Sequence, residues 1–272
     1  FSGDVGNIDQ PLIKDPQFIK YADYIVCEST YGDRLHEVVK DYRVKLAQTI
    51  QETFDKGGNV VIPAFAVGRT QELLYFLRDI IYKDMVKGHK IPVYVDSPMA
   101  IETVKVFDDN IYGYFDEEAM ARVKDGIDPI NFPTLKTTVT SDESKMINFD
   151  KEPKVIISAS GMCEAGRIRH HLKHNLWRPE CTILFAGYQA VGTLGRSLIE
   201  GTNVVKLFGE TIEVKARIER LDGLSGHADK EGLIQWLQEF KDAPKKVFLV
   251  HGDDAVCNSF ATHLRTEFGY DA

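Results

Sequence analysis

Asn59-Val60-Val61-Ile62-Pro63-Ala64-Phe65-Ala66-Val67-Gly68-Arg69-Thr70-Gln71-Glu72-Leu73-Leu74 decides how the chain is to be read. Its first four residues are an apolar, β-branched run that reads as a strand. From Gln71 to Val86 the apolar positions recur at helical spacing. A strand that passes through a short glycine-containing turn into a helix is the repeating unit of a parallel α/β protein. The same unit recurs outward in both directions. Tyr24-Ile25-Val26-Cys27 is a strand, and Val38 to Phe54 a helix. Pro92 to Val95 is a strand, followed by a helix from Met99 to Phe107. Lys154 to Ile157 is a strand, Ala165 to Leu176 a helix, and Thr182 to Ala186 a strand. The expected fold is α/β, with a largely parallel sheet covered on both faces.

Other stretches depart from this rhythm. Tyr112 to Lys151 is charged, contains Pro129 and Pro133, and reads as a short helix among surface loops. Val204 to Phe208 and Thr211 to Ala216, joined at Gly209-Glu210, read as a β-hairpin. A helix from Asp229 to Phe240, a strand from Lys246 to Val250 and a helix from Val256 to Phe268 complete the pattern.

The 272 residues are 43% hydrophobic and 27% charged, which suits a globular chain with a sizeable core. No stretch approaches the roughly 20 apolar residues of a membrane span. A net charge of -8 argues against non-specific adhesion to nucleic acid, yet placed arginines or a metal can still hold phosphate locally. Cys27, Cys163, Cys181 and Cys257 form no C-x-x-C pair. They read as buried thiols in a reducing compartment, and a cytoplasmic location is expected.

Chemistry-bearing residues gather at strand ends and in loops, where open α/β folds bind ligands. In Phe1-Ser2-Gly3-Asp4-Val5-Gly6, Asp4 suits a metal or phosphate, and equally an Asx turn. In Cys27-Glu28-Ser29-Thr30-Tyr31-Gly32, Glu28 follows directly on an apolar strand. Such a carboxylate is solvated, paired or functional, and a strand-end salt bridge explains it as readily as a catalytic role. His227 lies in Leu224-Ser225-Gly226-His227-Ala228-Asp229, and His251 in Phe248-Leu249-Val250-His251-Gly252-Asp253. A lone histidine at a strand end is more often structural. Two in the same part of the chain favour metal binding or proton transfer. His170 and His174 are four apart on one helix but lack a third ligand, which favours packing over metal binding.

Taken in order, these segments resemble the β-CASP branch of the metallo-β-lactamase superfamily. Gly3-Asp4 resembles the metal-bridging segment, Glu28-Ser29-Thr30-Tyr31-Gly32 motif A, Ser225-Gly226-His227-Ala228-Asp229 motif B, and Leu249-Val250-His251-Gly252 motif C. Between motifs A and B lie Ile62 to Leu74, Asp96-Ser97-Pro98-Met99-Ala100, Ser160-Gly161-Met162 with Gly166-Arg167, and Gly187-Tyr188-Gln189 with Gly192-Thr193-Leu194. The resemblance implies a β-CASP domain over residues 33–224, inserted into a partial metallo-β-lactamase αββα fold at 1–32 and 225–272. It implies zinc-dependent hydrolysis of RNA phosphodiesters, with single-stranded RNA as partner and a homodimer as one possible assembly.

By the same resemblance, Asp4 bridges two zinc ions and His251 completes the coordination of one. His227, held by Glu28, protonates the leaving 3′ oxygen. A nearby carboxylate favours a protonated imidazole for that task. Glycine-rich turns bring Ser160, Gly161, Arg167, Arg69, Gly192, Thr193 and Arg196 toward phosphate, with Arg167 the strongest candidate of the three arginines. The family's H-x-H-x-D-H motif and a further single histidine are not in this sequence. The expectation is therefore an N-terminally truncated, inactive part of a longer enzyme. A non-catalytic RNA-binding or scaffold member and a DNA nuclease are the competing readings. His251 points toward RNA, since DNA-acting relatives often carry an apolar residue at motif C.

Overall fold

The structure, a computed structural model, describes residues 1–36, 41–221 and 223–272. In chain order it contains β1 (Tyr24–Glu28), α1 (Tyr42–Phe54), β2 (Val60–Pro63), α2 (Arg69–Tyr82), β3 (Val93–Val95), α3 (Pro98–Asp109) and α4 (Ile111–Tyr114). Then come α5 (Glu117–Lys124), β4 (Leu135–Thr137), α6 (Ser141–Phe149), β5 (Val155–Ser158), α7 (Ile168–Asn175), β6 (Thr182–Phe185) and α8 (Leu194–Ile199). Last are β7 (Val204–Leu207), β8 (Glu210–Glu213), β9 (Arg217–Arg220), α9 (Lys230–Gln238), β10 (Lys246–Val250) and α10 (Asp254–Phe268). The mixed α/β class and the mainly parallel sheet are as the sequence implied. The expected helix onset at Val38 lies outside the described residues. No helix among the described residues is long and apolar enough to cross a membrane.

The chain forms two compact units, Val39–Leu224 and Phe1–Val38 with Ser225–Ala272. In the first, the strands lie in the order β4-β3-β5-β2-β6-β9, and every neighbouring pair is parallel. The central strands β2, β5 and β6 are buried along their whole length, as expected where helices cover both faces. Val61, Ile156 and Ile183 pack with Ile168, Leu172 and Leu198 of α7 and α8. Leu46, Ile50 and Phe54 of α1 and Leu73, Leu77 and Ile80 of α2 are also buried, and α1 packs on α2 and β2. Because the strands are parallel, the loops after β2, β3, β5 and β6 all leave from one end of the sheet.

The structure corrects four local expectations. Residues 112–151 are more regular than their composition suggests. Asp116 caps α5, a Thr140–Glu143 capping box starts α6, and Phe115, Ala119, Ile130 and Ile147 are buried. Helix α7 begins at Ile168 rather than Ala165, because Ser160 to Arg167 folds back on itself. Within that loop the Ser160 N–H donates to the Ala165 carbonyl, and the Ile168 N–H to that of Ala159. Gly166 has φ +80°, and a Cβ there would come 2.3 Å from the Ala159 carbonyl oxygen. Finally, the segment after the hairpin forms β9. Its charged Arg217-Ile218-Glu219-Arg220 suits an exposed edge strand and gives no apolar signal. The hairpin itself turns on Phe208-Gly209, both at positive φ, one residue earlier than the sequence suggested.

In the second unit, β1 and β10 pair in parallel, with Glu28 opposite Val250. Ile25, Cys27 and Val247 face Leu233, Trp236 and Leu237 of α9 and Phe260 and Leu264 of α10. The helical positions recur at three- and four-residue spacing, which gives each helix one apolar face. This packing sets the two strand ends side by side.

Candidate active site

Glu28 is the last residue of β1, and His251 immediately follows β10. Parallel pairing in register delivers both to the same edge. At that edge β10 turns sharply: His251 has φ +61°, and Gly252 presses against Ser29. A Cβ on Gly252 would lie 2.6 Å from Ser29 Oγ and 2.8 Å from the Ser29 carbonyl oxygen, so a glycine is required. The buried Ser29 hydroxyl donates to the Val250 carbonyl at 2.9 Å, tying the two strand ends together.

The Glu28 side chain is 1% exposed. An ionised carboxylate in such a place needs compensating donors. The Val5 N–H donates to Oε1 at 2.6 Å, and the Thr30 N–H approaches Oε2 at 3.4 Å. His227 Nδ1 lies 3.1 Å from both carboxylate oxygens and donates to them. Burial alone pushes the Glu28 carboxyl upward. The hydrogen bonds from His227, Thr30 and Val5, with the charge of His227, outweigh it and hold the group below its ordinary value. Glu28 is therefore a buried carboxylate kept ionised by its neighbours.

His227 is held through its backbone as well. Gly6 and His227 form an antiparallel bridge, in which the Ala228 N–H donates to the Val5 carbonyl at 2.7 Å. The imidazoles of His227 and His251 stack with centroids 5.7 Å apart and planes inclined by 26°. Thr30 Oγ1 lies between them, 3.2 Å from His251 Nδ1 and 3.5 Å from His227 Nδ1. Asp4 comes within 3.9 Å of His251 Nδ1, and its side chain is 66% exposed. Donor atoms of Asp4, His227 and His251 all fall within 4.8 Å of one another. A carboxylate and two imidazoles suit zinc, though they are one donor short of a closed tetrahedral set. The sequence reading assigned His227 to proton transfer and Asp4 and His251 to metal; the fold brings the donor atoms of all three together.

The residues expected near phosphate belong to the Val39–Leu224 unit. Ser160 and Gly161 occupy the loop after β5; the Ser160 hydroxyl accepts from the Ala165 N–H at 3.3 Å. Gly192 and Thr193 lead into α8, where Thr193 caps the Arg196 N–H, and Arg196 bonds Glu200. The Arg69 side chain is only 9% exposed and pairs with buried Glu72. Arg167 turns inward, donating to Asp96 Oδ1 at 2.7 Å, the Thr138 carbonyl at 3.1 Å and the Val139 carbonyl at 2.7 Å. His170 stacks on Phe208, and His174 meets Phe149 edge-on.

Sequence reasoning missed several participants. Ser29 and Thr30 stand inside the quoted motif beside Glu28, but nothing local shows what their hydroxyls reach. Asp96 and His171 form a fully buried pair at 2.7 Å. His171 stands beside His170 in the sequence, and only packing separates it from His170 and His174.

Residues 70–198 match the Beta-Casp domain, and residues 211–272 match the Zn-dependent metallo-hydrolase RNA specificity domain. The chain belongs to the β-CASP metallo-β-lactamase family. Ribonuclease TTHA0252 of Thermus thermophilus is 36% identical over 257 residues, covering 93% of this chain and 57% of the relative. The RNase J-like protein of Methanocaldococcus jannaschii is 31% identical over 264 residues, covering 96% of this chain and 59% of the relative. The transcription termination factor FttA of Methanosarcina mazei is 28% identical over 273 residues, covering 97% of this chain and 42% of the relative. This β-CASP chain thus spans between about two fifths and three fifths of the length of these curated relatives.

Proposed function

We propose that the complete protein is a zinc-dependent ribonuclease, and that this chain supplies its proton donor and part of its metal cage. The observation that carries this reading is the ionised, buried Glu28 bonded to His227 beside Asp4 and His251. Names of relatives that include ribonucleases, and a match to an RNA specificity domain, favour RNA as the substrate. Unpaired RNA suits the proposal better than a duplex, since a single strand can bend to bring one phosphate to a site. We further propose that the inserted domain covers residues 33–224.

Asp4 would hold metal through its carboxylate and His251 through its imidazole. Bound zinc supplies positive charge to the phosphoryl oxygens and lowers the pKa of a coordinated water. His227 accounts for the other half of the reaction. Water adds at phosphorus and gives up a proton to solvent, the bond to the 3′ oxygen breaks, that oxygen takes the proton from His227 Nε2, and a proton from solvent recharges His227. Glu28 accepts from Nδ1, which fixes the ring and stabilises the charged imidazole before transfer. The three donors found together among the described residues do not complete one zinc site, so we assign cleavage to the complete protein and propose that residues 1–272 alone do not cut RNA.

The loops after β5 and β6 are the proposed phosphate contacts, through Ser160, Gly161, Gly192, Thr193 and Arg196. Arg69 and Arg167, already bonded within their unit, would support those loops rather than reach the substrate.

The donor cluster favours a second reading of one residue, in which His227 binds metal through Nε2 and Glu28 orients it as an outer carboxylate. Zinc content and cleavage of single-stranded RNA by the complete protein separate the two. Under the acid reading, His227→Ala keeps its zinc and loses roughly 10²–10⁴-fold in rate, and Glu28→Gln behaves similarly. Loss of zinc in His227→Ala supports the ligand reading. Full activity in His227→Ala would refute both.

A further inference from the structure

We infer that His36 is a positioning residue for His227, acting through the main chain of motif B. The inference rests on the proton-donor reading of His227. His36 Nε2 lies 2.9 Å from the His227 carbonyl oxygen. A carbonyl can only accept, so Nε2 carries the hydrogen. The amide N–H of the same peptide unit belongs to Ala228 and donates to the Val5 carbonyl at 2.7 Å. The peptide linking His227 to Ala228 is therefore bonded at both ends, to His36 on one side and Val5 on the other. A peptide unit is planar, so fixing its two polar ends fixes the orientation of the whole unit. That orientation aims the His227 side chain from its Cα.

His36 is itself firmly placed. Its backbone N–H donates to Asp229 Oδ2 at 3.0 Å, while Asp229 Oδ1 accepts from the Gly232 N–H at 3.0 Å as the cap of α9. The Lys230 N–H donates to the Arg34 carbonyl at 3.1 Å, a further tie between the two segments. The Tyr31 ring meets the His36 ring edge-on, with centroids 4.5 Å apart. The Arg34 guanidinium lies 4.9 Å from the centroid of the Tyr31 ring. The segment from Tyr31 to His36 thus clamps the start of α9 and, with it, the backbone of His227. Glu28 holds the ring of His227, and His36 holds the peptide from which the ring projects.

An acid displaced by a fraction of an ångström still lets substrate bind but transfers its proton less often. In the complete, zinc-loaded protein we expect His36→Ala to lower kcat by roughly tenfold to hundredfold, with KM changed by less than about twofold. His36→Gln, whose amide N–H can reach the same carbonyl, should recover most of the rate. If His36 acts only through His227, adding His36→Ala to His227→Ala should slow the protein no further. A readout independent of catalysis is the His227 imidazole N–H resonance in zinc-free protein, assigned by its loss in His227→Ala. It should shift or broaden in His36→Ala and return in His36→Gln.

Wild-type kcat in His36→Ala, a change confined to KM, or a Gln variant no better than Ala would overturn the inference. So would a further loss in the double variant, which marks a general structural role. Loss of zinc or full activity in His227→Ala would instead remove the proton-donor reading, so the zinc content and rate of that single variant tell the two failures apart.

Discussion

Replacing Asp96 with asparagine removes one charge from a buried polar cluster of the Val39–Leu224 unit. Asp96 is 0% exposed. Its carboxylate accepts from Arg167 and His171, each at 2.7 Å, from Ser144 at 2.6 Å, and from the Thr138 hydroxyl. Burial would raise its carboxyl, but the bonds from His171, Ser144 and Thr138, with the charge of His171, hold it well below the usual carboxylate range. An asparagine keeps the shape and one acceptor. Its amide then faces donors, and Arg167 loses its buried counter-charge. Breaking a buried pair on one side costs about 3–5 kcal/mol. For a unit of this size that lowers the melting temperature by about 6–20 °C at pH 7.

The pH dependence has a definite sign. A depressed folded-state pKa means that Asp96 contributes fully above the unfolded value near ~3.9 and loses that contribution as pH falls toward the folded value. Asparagine does not titrate. The gap between wild type and Asp96→Asn should therefore be constant from pH 7 to 5 and shrink by about 1 kcal/mol at pH 3. Thermal melts followed by circular dichroism across that range would measure it. A variant that melts within 2 °C of wild type at pH 7, or a gap that widens in acid, would refute the reasoning.

Other consequences can be checked on the same protein. Gly166→Ala places a methyl 2.3 Å from the Ala159 carbonyl at φ +80°, so the loop after β5 must move; a loss of at least about 1–3 kcal/mol should appear in denaturant melts. Thiol labelling of the native chain should modify only Cys257, because Cys27, Cys163 and Cys181 are buried, while unfolding exposes all four. Burial also pushes the Cys27 and Cys163 thiols up to about 12, which further slows their reaction as thiolates.

The alternation of strands and helices is legible along the chain, because apolar periodicity is a local property that each segment carries regardless of its neighbours. Glu28 and His251 stand out because each is polar directly at the end of an apolar strand, and Asp4 and His227 because each follows a glycine in a short polar segment. Periodicity failed where order comes from caps and edges rather than from a repeating apolar face. Residues 112–151 and the charged strand Arg217–Arg220 are examples. The distances come from the fold. Glu28 and His227 are 199 positions apart, yet their side chains meet at 3.1 Å because β1 pairs with β10 and Gly6 bridges to His227. Nothing local separates an arginine that will meet solvent from one such as Arg167, whose charge is consumed by Asp96 on another strand end. His36 shows the same limit. Its side chain is an ordinary imidazole in the sequence, and its importance comes wholly from which carbonyl the folded chain sets 2.9 Å away.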